Sequence, residues 1–469
     1  MLPMNNEIPS SMYEAGKKFV VLGMRWKLKK NSAEIRKDVP AKVLWYFPPI
    51  TRFRRMFQSA KITKDLTWHA HERDSNGTMC HPADFPSWKL VDHKWPDFAA
   101  EPRNLRLAIS ADGINPHSSL SSRYSCWPVI MITSNLSPWL CMKRKFMMLS
   151  LLISGPQQPG NSIDVYMAPL IDGLKMLWEV GVEAYDTYKE EHFRLKAILL
   201  WTINDFLALG NLSGCTMKGY YKKKSLFFDL EYWKYLHVRH NLDVMPIKKN
   251  VCESLIGMLL NIPGKTKDGI NSHIDLVEMG LHEELVPQIG EKRTYLPPAC
   301  YTLFEEKKKR VCTTLLELKV PEGYFSNFGS HVSMQDLKLY GLKSHYCHGL
   351  MQQLLLMAIR FVLPTHVRHA IIRLCLFFNA ICSKVVDVGK LDEIQKDLVV
   401  TLCLLEKYLP PSFFDIMVHL TVHLVREVRF CEPVYFRWMY QFERFMKILK
   451  GYVCNRNCPE GCTAESYIV

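Results

Sequence analysis

The chain lacks a long uninterrupted apolar run. Its longest apolar stretches, near residues 146–153 and 354–363, are too short or too interrupted to cross a bilayer, which takes about 20 apolar residues. The first residues show no basic segment followed by an apolar core, so we expect no signal peptide. An internal repeat is missing as well, which argues against a repeat architecture. These absences favour a globular protein without a membrane partner.

Acidic residues are in short supply relative to basic ones. The 469 residues include 46 aspartates and glutamates against 60 lysines and arginines, which gives a formal net charge of +14. Such an excess favours polyanionic partners such as nucleic acid. A basic, solvated surface with no specific partner is the alternative explanation of the same charge.

Regularly spaced cysteine pairs are missing too. The 15 cysteines are an odd number, are irregularly spaced, and many of them, such as Cys375, lie in apolar stretches. This distribution is typical of reduced, buried thiols in an intracellular protein.

What the chain does contain is a set of short apolar runs, bounded by Gly, Pro, Ser or Asn, that predict β-strands. Three of them follow one another at Leu105–Ala111, Trp127–Thr133 and Phe146–Ile153. A helical pattern then extends over residues 164–188, and a fourth strand is predicted at Ala197–Ile203. Three strands, a helix and a fourth strand form the order of a ribonuclease-H-like α/β domain with a mixed sheet.

The C-terminal part of the chain is predicted to be mostly α-helical. From about residue 333 the apolar residues recur at helical spacing, over residues 350–361, 367–383, 391–408, 413–428 and 436–452. Residues 1–40 are expected to be poorly structured, and residues 41–99 to form loops and short elements. We therefore expect four parts: an N-terminal basic and aromatic region (1–99), the ribonuclease-H-like domain (100–262), a turn-rich connector (263–330) and a helical C-terminal domain (331–469).

Two aspartates stand directly behind predicted strands. Asp112 follows the first strand and Asp205 follows the fourth. Carboxylates at the ends of neighbouring strands can point into a shared site, and two of them are the start of a two-metal phosphoryl-transfer centre. Taken alone the pattern is weak, because aspartates at strand ends often only cap a helix or stabilise a turn.

Long stretches of the sequence resemble a known family. The matching runs include Ala41-Lys-Val-Leu-Trp-Tyr-Phe-Pro48, Leu200-Trp-Thr-Ile-Asn-Asp205, Leu405-Glu-Lys-Tyr-Leu-Pro-Pro-Ser-Phe-Phe-Asp415, Val418-His-Leu-Thr-Val-His-Leu424 and Phe442-Glu-Arg444. They resemble the plant En/Spm-like (CACTA) DNA transposases, of the transposase family 21 type, together with the domain of unknown function that follows the transposase in those elements. The similarity covers most of residues 41–469.

The resemblance implies a cut-and-paste DNA transposase with a ribonuclease-H-like fold. In such enzymes two aspartates and a glutamate hold two Mg²⁺ ions, and Asp112 and Asp205 match the two aspartates in position and context. It further implies that the DNA partner is the terminal repeats of the element, that the chain can form a homo-oligomer, and that the protein works in the nucleus.

The third acidic ligand is where this chain departs from the family pattern. A histidine and a glutamate are expected at positions that here hold Pro246 and Lys248. An ammonium group would repel a metal ion instead of binding it. Glu253 is the nearest substitute, but five residues carry it about 500° around a helix, or about 140° net. Asp243 is a second, weaker substitute.

The segment before the third ligand is shortened as well. The family usually carries a Cys-x-x-Cys pair there, whereas Cys215 stands alone and the basic run Lys222–Lys224 follows almost at once. A zinc-stabilised insertion is therefore not expected.

Three hypotheses follow from the sequence. The first is a transposon-derived protein that keeps Asp112 and Asp205 but is impaired as an enzyme because its third ligand is lost. The second is an active Mg²⁺-dependent transposase in which Glu253 or Asp243 supplies that ligand. The third is a domesticated DNA-binding or protein-binding protein without catalytic chemistry.

Several other clusters invite a metal or nucleic-acid interpretation. His69 and His71, whose spacing suits a strand face or a loop, His419 and His423, and the cysteines at positions 454, 458 and 462 are each better explained by packing or by chance than by metal binding. Three basic runs, at residues 52–55, 143–145 and 222–224, could follow the phosphates of a nucleic acid or form a solvated surface.

Overall fold

The computed structural model describes residues 43–73, 78–117, 124–215, 223–280, 283–290, 294–318, 328–431 and 433–468. Contacts between residues group the chain into two compact units. The first unit contains residues 1–74, 87–242 and 439–469, and the second contains residues 75–86 and 243–438. The segment predicted as poorly structured, residues 1–40, lies outside the described residues, and the division into four parts stays a prediction.

A six-stranded mixed sheet forms the centre of the first unit. Its strands, with two more that form a hairpin, are β1 (Leu44–Tyr46), β2 (Leu105–Ala111), β3 (Trp127–Thr133), β4 (Met148–Ile153), the hairpin β5 (Val182–Asp186) and β6 (Glu191–Leu195), β7 (Ala197–Asn204) and β8 (His240–Leu242). The spatial order of the sheet is β1-β4-β3-β2-β7-β8. Strands β1 to β4 pair antiparallel, whereas β7 runs parallel to both β2 and β8.

The central strands are mostly apolar on both faces because both faces of the sheet are covered. Every residue of β2, β3, β4 and β7 is buried. This is the pattern of strands that lie in the interior of a layered α/β unit, and it explains why their apolar residues do not alternate with exposed polar ones.

The helices of the first unit are α1 (Pro49–Phe57), α2 (Ala60–His71), α3 (Pro86–Lys94), α4 (Ile163–Glu179), α5 (Phe206–Ser213), and, at the C-terminus, α12 (Met439–Gly451) and α13 (Pro459–Ile468). Helix α4 packs against β4 and β7. The first unit is therefore interrupted after β8 and is completed by the last two helices of the chain.

The C-terminal helices are tied to the sheet by specific hydrogen bonds. The carboxylate of Glu460 accepts hydrogen bonds from the hydroxyl of Tyr124 at 2.7 Å and from the amide of Gly155 at 2.9 Å. The Tyr467 hydroxyl accepts one from the amide of Leu149 at 2.9 Å. These bonds join residues more than 300 positions apart to one unit.

The second unit is mostly helical. Its helices are α6 (Val244–Leu259), α7 (Ile270–Glu278), α8 (Glu305–Glu317), α9 (Thr365–Ile381), α10 (Leu391–Tyr408) and α11 (Ile416–Phe430), with shorter segments at Ser344–Gly349, Leu350–Leu354 and Leu355–Ala358. Its strands are two-residue pairs: Thr78–Met79 with Val386–Asp387, Gln288–Ile289 with Thr294–Tyr295, and Val332–Ser333 with Lys338–Leu339. Helices α9, α10 and α11 pack on one another, and α6 packs against α11.

The expected combination of a mixed α/β region and a mostly helical region agrees with this architecture. One predicted helix is too long, because α4 ends at Glu179 and the hairpin β5–β6 follows. The helix ends before Gly181, whose φ of 74° is not helical and where a Cβ would lie only 3.0 Å from the carbonyl oxygen of Leu195. Residues 41–99, which we expect to form loops and short elements, contain the helices α1, α2 and α3 of 9, 12 and 9 residues.

Candidate metal centre

The two aspartates lie at the same edge of the sheet. Strands β2 and β7 are parallel neighbours, with Ile109 opposite Thr202 in the register. Asp112 follows the last residue of β2, and Asp205 follows the last residue of β7. Because the carboxyl ends of parallel strands meet at one edge, the fold brings the two carboxylates into one neighbourhood.

A buried asparagine holds these two strand ends together. The side-chain oxygen of Asn204 accepts a hydrogen bond from the amide of Ala111 at 3.1 Å, and its nitrogen donates one to the Thr202 hydroxyl at 2.7 Å. Thr202 in turn lies 2.8 Å from Nδ1 of His240 on β8. Asn204 and Thr202 are fully buried, so this chain of hydrogen bonds fixes the ends of three adjacent strands.

Each aspartate is also held by the backbone that follows it. The Gly113 amide donates a hydrogen bond of 2.6 Å to Asp112, and the Ala208 amide donates one of 2.7 Å to Asp205, which is the N-cap of α5. A Cβ at Gly113 would come within 2.8 Å of Ser125 Oγ, so the turn after Asp112 requires glycine.

The electrostatic surroundings of Asp112 oppose its ionisation. Burial, followed by the negative charges of Asp205 and Glu443, raises the pKa of Asp112 to about 7, against the opposing effects of the Gly113 amide and of Lys450. Burial also raises the pKa of Asp205, although two backbone amides act against the change. The excess of negative charge at this edge is the kind that a divalent cation would relieve.

Besides Asp205, a second carboxylate acts on Asp112, and it belongs to the C-terminal helix α12. Glu443 lies on α12, and Lys450, seven residues later, lies on the same face because seven residues make nearly two turns. The start of α12 contacts the sheet directly, since the Ser110 hydroxyl donates to the sulfur of Met439 at 2.9 Å. Helix α12 therefore presents one acidic and one basic side chain toward Asp112.

Sequence reasoning missed Glu443 in this role. The residue stands in the run Phe442-Glu-Arg444, which we interpreted only as a signature of the helical C-terminal domain. The second unit lies between Asp205 and Glu443 in the sequence, and spacing alone carries no sign that the chain returns to the sheet. The run that contains Glu443 is visible in the sequence, but the sequence does not show that this glutamate acts on Asp112.

The structure places the residues expected to supply the third ligand in the second unit. The carboxylate of Glu253 pairs with Lys265 at 3.6 Å. Asp243 is the N-cap of α6, where it accepts a hydrogen bond from the amide of Met245. Lys248 is buried, and its amine lies 2.9 Å from Nδ1 of His348. The catalytic and metal-binding roles of Asp112, Asp205 and Glu253 stay predictions.

The donor set in the first unit fits a hard divalent cation. Asp112, Asp205 and Glu443 offer carboxylate oxygens, which Mg²⁺ prefers. Among the residues that the structure describes, no three His, Cys, Asp or Glu side chains converge closely enough to hold a metal ion as they stand. Glu443 is exposed, however, so a change of rotamer can alter its distance from Asp112 without repacking the core.

Packing and ion pairing account for two of the other features noted in the sequence, the pair His69 and His71 and the basic residue Lys223. His69 and His71 lie on helix α2, not on a strand or in a loop, so their side chains diverge; His69 is buried and its ring packs on Trp88 at 5.0 Å. Lys223 pairs with Asp164 at 2.6 Å, whereas Lys222 lies outside the described residues.

Two segments of the chain match known protein families. Residues 76–242 match the model described as transposase family tnp2, and residues 381–469 match a domain of unknown function, DUF4218. The resemblance to a transposase that is followed by a C-terminal domain of unknown function is therefore confirmed. The second match extends from the second unit into α12 and α13 of the first. No curated protein matches the chain. No helix within the described ranges is long and apolar enough to cross a membrane.

Proposed function

We propose that the transposase-family segment, completed by α12 and α13, is the catalytic domain of a DNA transposase of the En/Spm-like type. In this proposal Asp112, Asp205 and Glu443 bind divalent metal ions and the domain cleaves and transfers DNA strands. The observation that carries the proposal is that Asp112 and Asp205 follow the carboxyl ends of neighbouring parallel strands, and the effect of the Glu443 charge on the pKa of Asp112 supports the choice of the third ligand.

The strand order supports a ribonuclease-H-like fold for this domain. Strands β4, β3 and β2 form an antiparallel meander, and β7 and β8 extend it in parallel on the other side of β2. Such folds carry one acid on the first central strand, one at the end of the fourth strand, and one on a later helix. In this proposal Asp112 and Asp205 take the first two places, and Glu443 on α12 takes the third.

In this proposal Glu443, and not Glu253, supplies the third carboxylate ligand. Glu253 lies in the second unit and is paired with Lys265, whereas Glu443 lies in the same unit as both aspartates. In this proposal the lysine at position 248 is not a ligand position, so it does not by itself exclude a three-carboxylate centre. It belongs to the interior of the second unit, and the domain has another glutamate for the site.

The residues of the chain would then have distinct tasks. Asn204 holds the ends of β2 and β7 in register, and Lys450 lowers the pKa of Asp112 and so favours its ionised form. A bound divalent cation would supply activation of the attacking water or 3′ hydroxyl and stabilisation of the leaving oxygen. Asp112 has to lose its proton before it can serve as a ligand, so binding should improve as the pH rises through 7.

A basic cluster in the same unit provides a surface for the DNA backbone. It consists of Arg52, Lys143, Arg144 and Lys145, all exposed, and the Arg52 guanidinium donates to the carbonyl of Lys145 at 3.1 Å. Phosphates bind such clusters without regard to base sequence. Recognition of the element's terminal repeats, assembly of a homo-oligomer and action in the nucleus belong to the same proposal and follow from the resemblance.

A nicking assay tests the assignment. DNA that carries the terminal repeats of the element would be incubated with the full chain and Mg²⁺ or Mn²⁺, and Mn²⁺ binding would be measured separately by calorimetry. Asp112→Asn, Asp205→Asn and Glu443→Gln should each abolish nicking and weaken Mn²⁺ binding. Glu253→Gln is the matched control and should leave both measurements unchanged.

The opposite pattern would overturn the choice of third ligand. If Glu253→Gln abolishes Mn²⁺ binding and Glu443→Gln does not, the third ligand is Glu253 and not Glu443. If the unaltered chain binds no Mn²⁺ and nicks no DNA, the chain is a DNA-binding or protein-binding protein without chemistry. The lack of a closed three-ligand cluster among the described residues favours that second candidate function, so the calorimetric measurement decides between them.

A further inference from the structure

Two histidines on the surface of the second unit point their rings at each other. His419 and His423 are four residues apart on α11 and both are exposed. Their Nε2 atoms lie 3.3 Å apart, and their ring centroids are separated by 5.1 Å. Residues four apart on a helix lie one above the other on the same face, so the geometry follows from the helix itself.

The helix that carries them is firmly placed. Its inner face is buried through Val418, Leu424, Val425 and Val428. At its start, Asp415 caps the helix by accepting hydrogen bonds from the amides of Met417 and Val418. The two imidazoles are therefore attached to a rigid backbone segment. Metal binding does not have to order that backbone, because folding has already done so.

The separation of the two nitrogen atoms matches that of two ligands on one ion. Zinc binds imidazole nitrogen at about 2.0–2.1 Å in tetrahedral geometry, which places two such nitrogens roughly 3.3–3.4 Å apart. A hydrogen bond between the rings is the other explanation, but N–H donors usually lie about 2.7–3.2 Å from their acceptors. The 3.3 Å separation agrees with two ligands on one ion, and the titration described below separates this arrangement from a hydrogen bond between the rings.

We propose that His419 and His423 form a bidentate site for a borderline divalent cation, zinc being the best fit, on the outer face of α11. Imidazole suits zinc, and both histidines would bind it through Nε2. Within the described residues no third His, Cys, Asp or Glu completes a cluster, so water fills the remaining positions. The site is independent of the carboxylate centre in the first unit.

The charges around the pair affect the site in opposite directions. Partial burial, followed by His419 and Arg426, lowers the pKa of His423, which keeps its ring neutral and able to bind a metal near pH 7. The cation of Arg426 also repels a metal ion. Replacement of Arg426 by glutamine should therefore strengthen zinc binding, whereas loss of either histidine should weaken it.

Calorimetric titration of the reduced full chain with zinc tests the proposal. Other histidines and exposed cysteines will bind zinc too, so the comparison is between variants on the same background. His419→Ala and His423→Ala should each remove the same binding event, weakening it on the order of 100-fold because the second bond of a chelate is intramolecular. The double variant should lose no more than either single one.

His369→Ala is the matched control, since His369 is an exposed histidine on a different helix of the same unit. It should leave the binding event unchanged. Circular dichroism of each variant checks that α11 still forms, which is expected because both side chains are exposed. If the two single variants bind zinc like the unaltered chain, or if their effects simply add, the pair is a packing contact and the proposal fails.

Discussion

Glu443 and Lys450 occupy one face of α12, and they act on the carboxyl group of Asp112 with opposite signs. Glu443 raises the pKa of Asp112, and Lys450 lowers it. One helix from the end of the chain thus both adds negative charge to the proposed metal centre and limits the cost of ionising it. Replacement of either side chain should change the pKa of Asp112. Lys450 is the better residue to replace, because it is not a proposed metal ligand.

Lys450→Gln should shift the pH dependence of metal binding upward. Without the lysine the pKa of Asp112 rises above its present value of about 7, so the proton competes with the metal to a higher pH. Mn²⁺ affinity measured between pH 6 and 9 should therefore reach its plateau later than in the unaltered chain. Lys447→Gln, an exposed neighbour on the same helix, is the control. An unchanged profile for Lys450→Gln would show that the lysine does not act on the site.

Asp112→Asn should stabilise the metal-free first unit at alkaline pH. A carboxyl whose pKa is about 7 in the folded state and 3.8 otherwise binds more protons when folded, so stability is lost as the pH rises from 4 through 7. Asparagine removes that loss. The expected gain at pH 8, after allowance for screening, is on the order of 2 kcal/mol.

The measurement for this prediction is thermal unfolding of both proteins at pH 5 and pH 8 in the presence of a chelator. The difference in melting temperature should be small at pH 5 and should favour the asparagine variant at pH 8. A variant that is less stable than the unaltered chain at pH 8 would show that the Asp112 carboxylate is well accommodated without metal.

Asn204→Ala should destabilise the first unit by about 2–4 kcal/mol. The change leaves the buried amide of Ala111 without its partner and removes the hydrogen bond that the Thr202 hydroxyl accepts, while Thr202 keeps its contact with His240. Urea unfolding followed by the fluorescence of the buried Trp201 and Trp233 reports on this unit. Asn457→Ala, at an exposed position, is the control and should change stability by less than about 0.5 kcal/mol.

Lys248→Met should stabilise the second unit. Burial lowers the pKa of Lys248, so the folded state binds fewer protons than the unfolded chain, and stability rises with pH up to the ordinary value of 10.5. Methionine fills the same space without an amine to desolvate, and a gain of about 1–3 kcal/mol is expected at pH 7.

Two further measurements separate this effect from a general one. The gain from Lys248→Met should shrink between pH 7 and pH 10, because the unaltered chain becomes more stable over that range. Lys249→Met, at the adjacent and less buried position, should show neither the gain nor the pH dependence. Destabilisation by Lys248→Met would mean that the contact with His348 outweighs the cost of burying the amine.

Much of the first unit could be predicted from local patterns. Two of the three strands between residues 104 and 153 have the predicted bounds, because a strand buried on both faces is mostly apolar from end to end. The third begins two residues later than predicted, at Met148, since residues 144–146 form a short turn of 3₁₀-helix. The hairpin β5–β6 was missed because its residues alternate in burial and continue the apolar spacing of α4.

The candidate site was predictable only in the part that the sheet itself defines. Asp112 and Asp205 follow directly from strand ends, a local signal. Glu443 does not, because its place depends on α12 packing at Ser110 through a contact that joins residues more than 300 positions apart. Lys248 drew attention through a motif, yet nothing in the motif indicates that its helix belongs to the second unit.

The return of α12 and α13 to the sheet has a consequence for synthesis. On the ribosome, the six strands of the sheet are synthesised long before the helix that carries Glu443. The carboxylate edge of the sheet therefore lacks α12 until most of the second unit has been made. Folding of the first unit is thus governed by contacts of very high sequence separation, which form slowly. A messenger truncated between codons 206 and 442 would yield a chain that retains both aspartates and lacks the glutamate of the proposed centre.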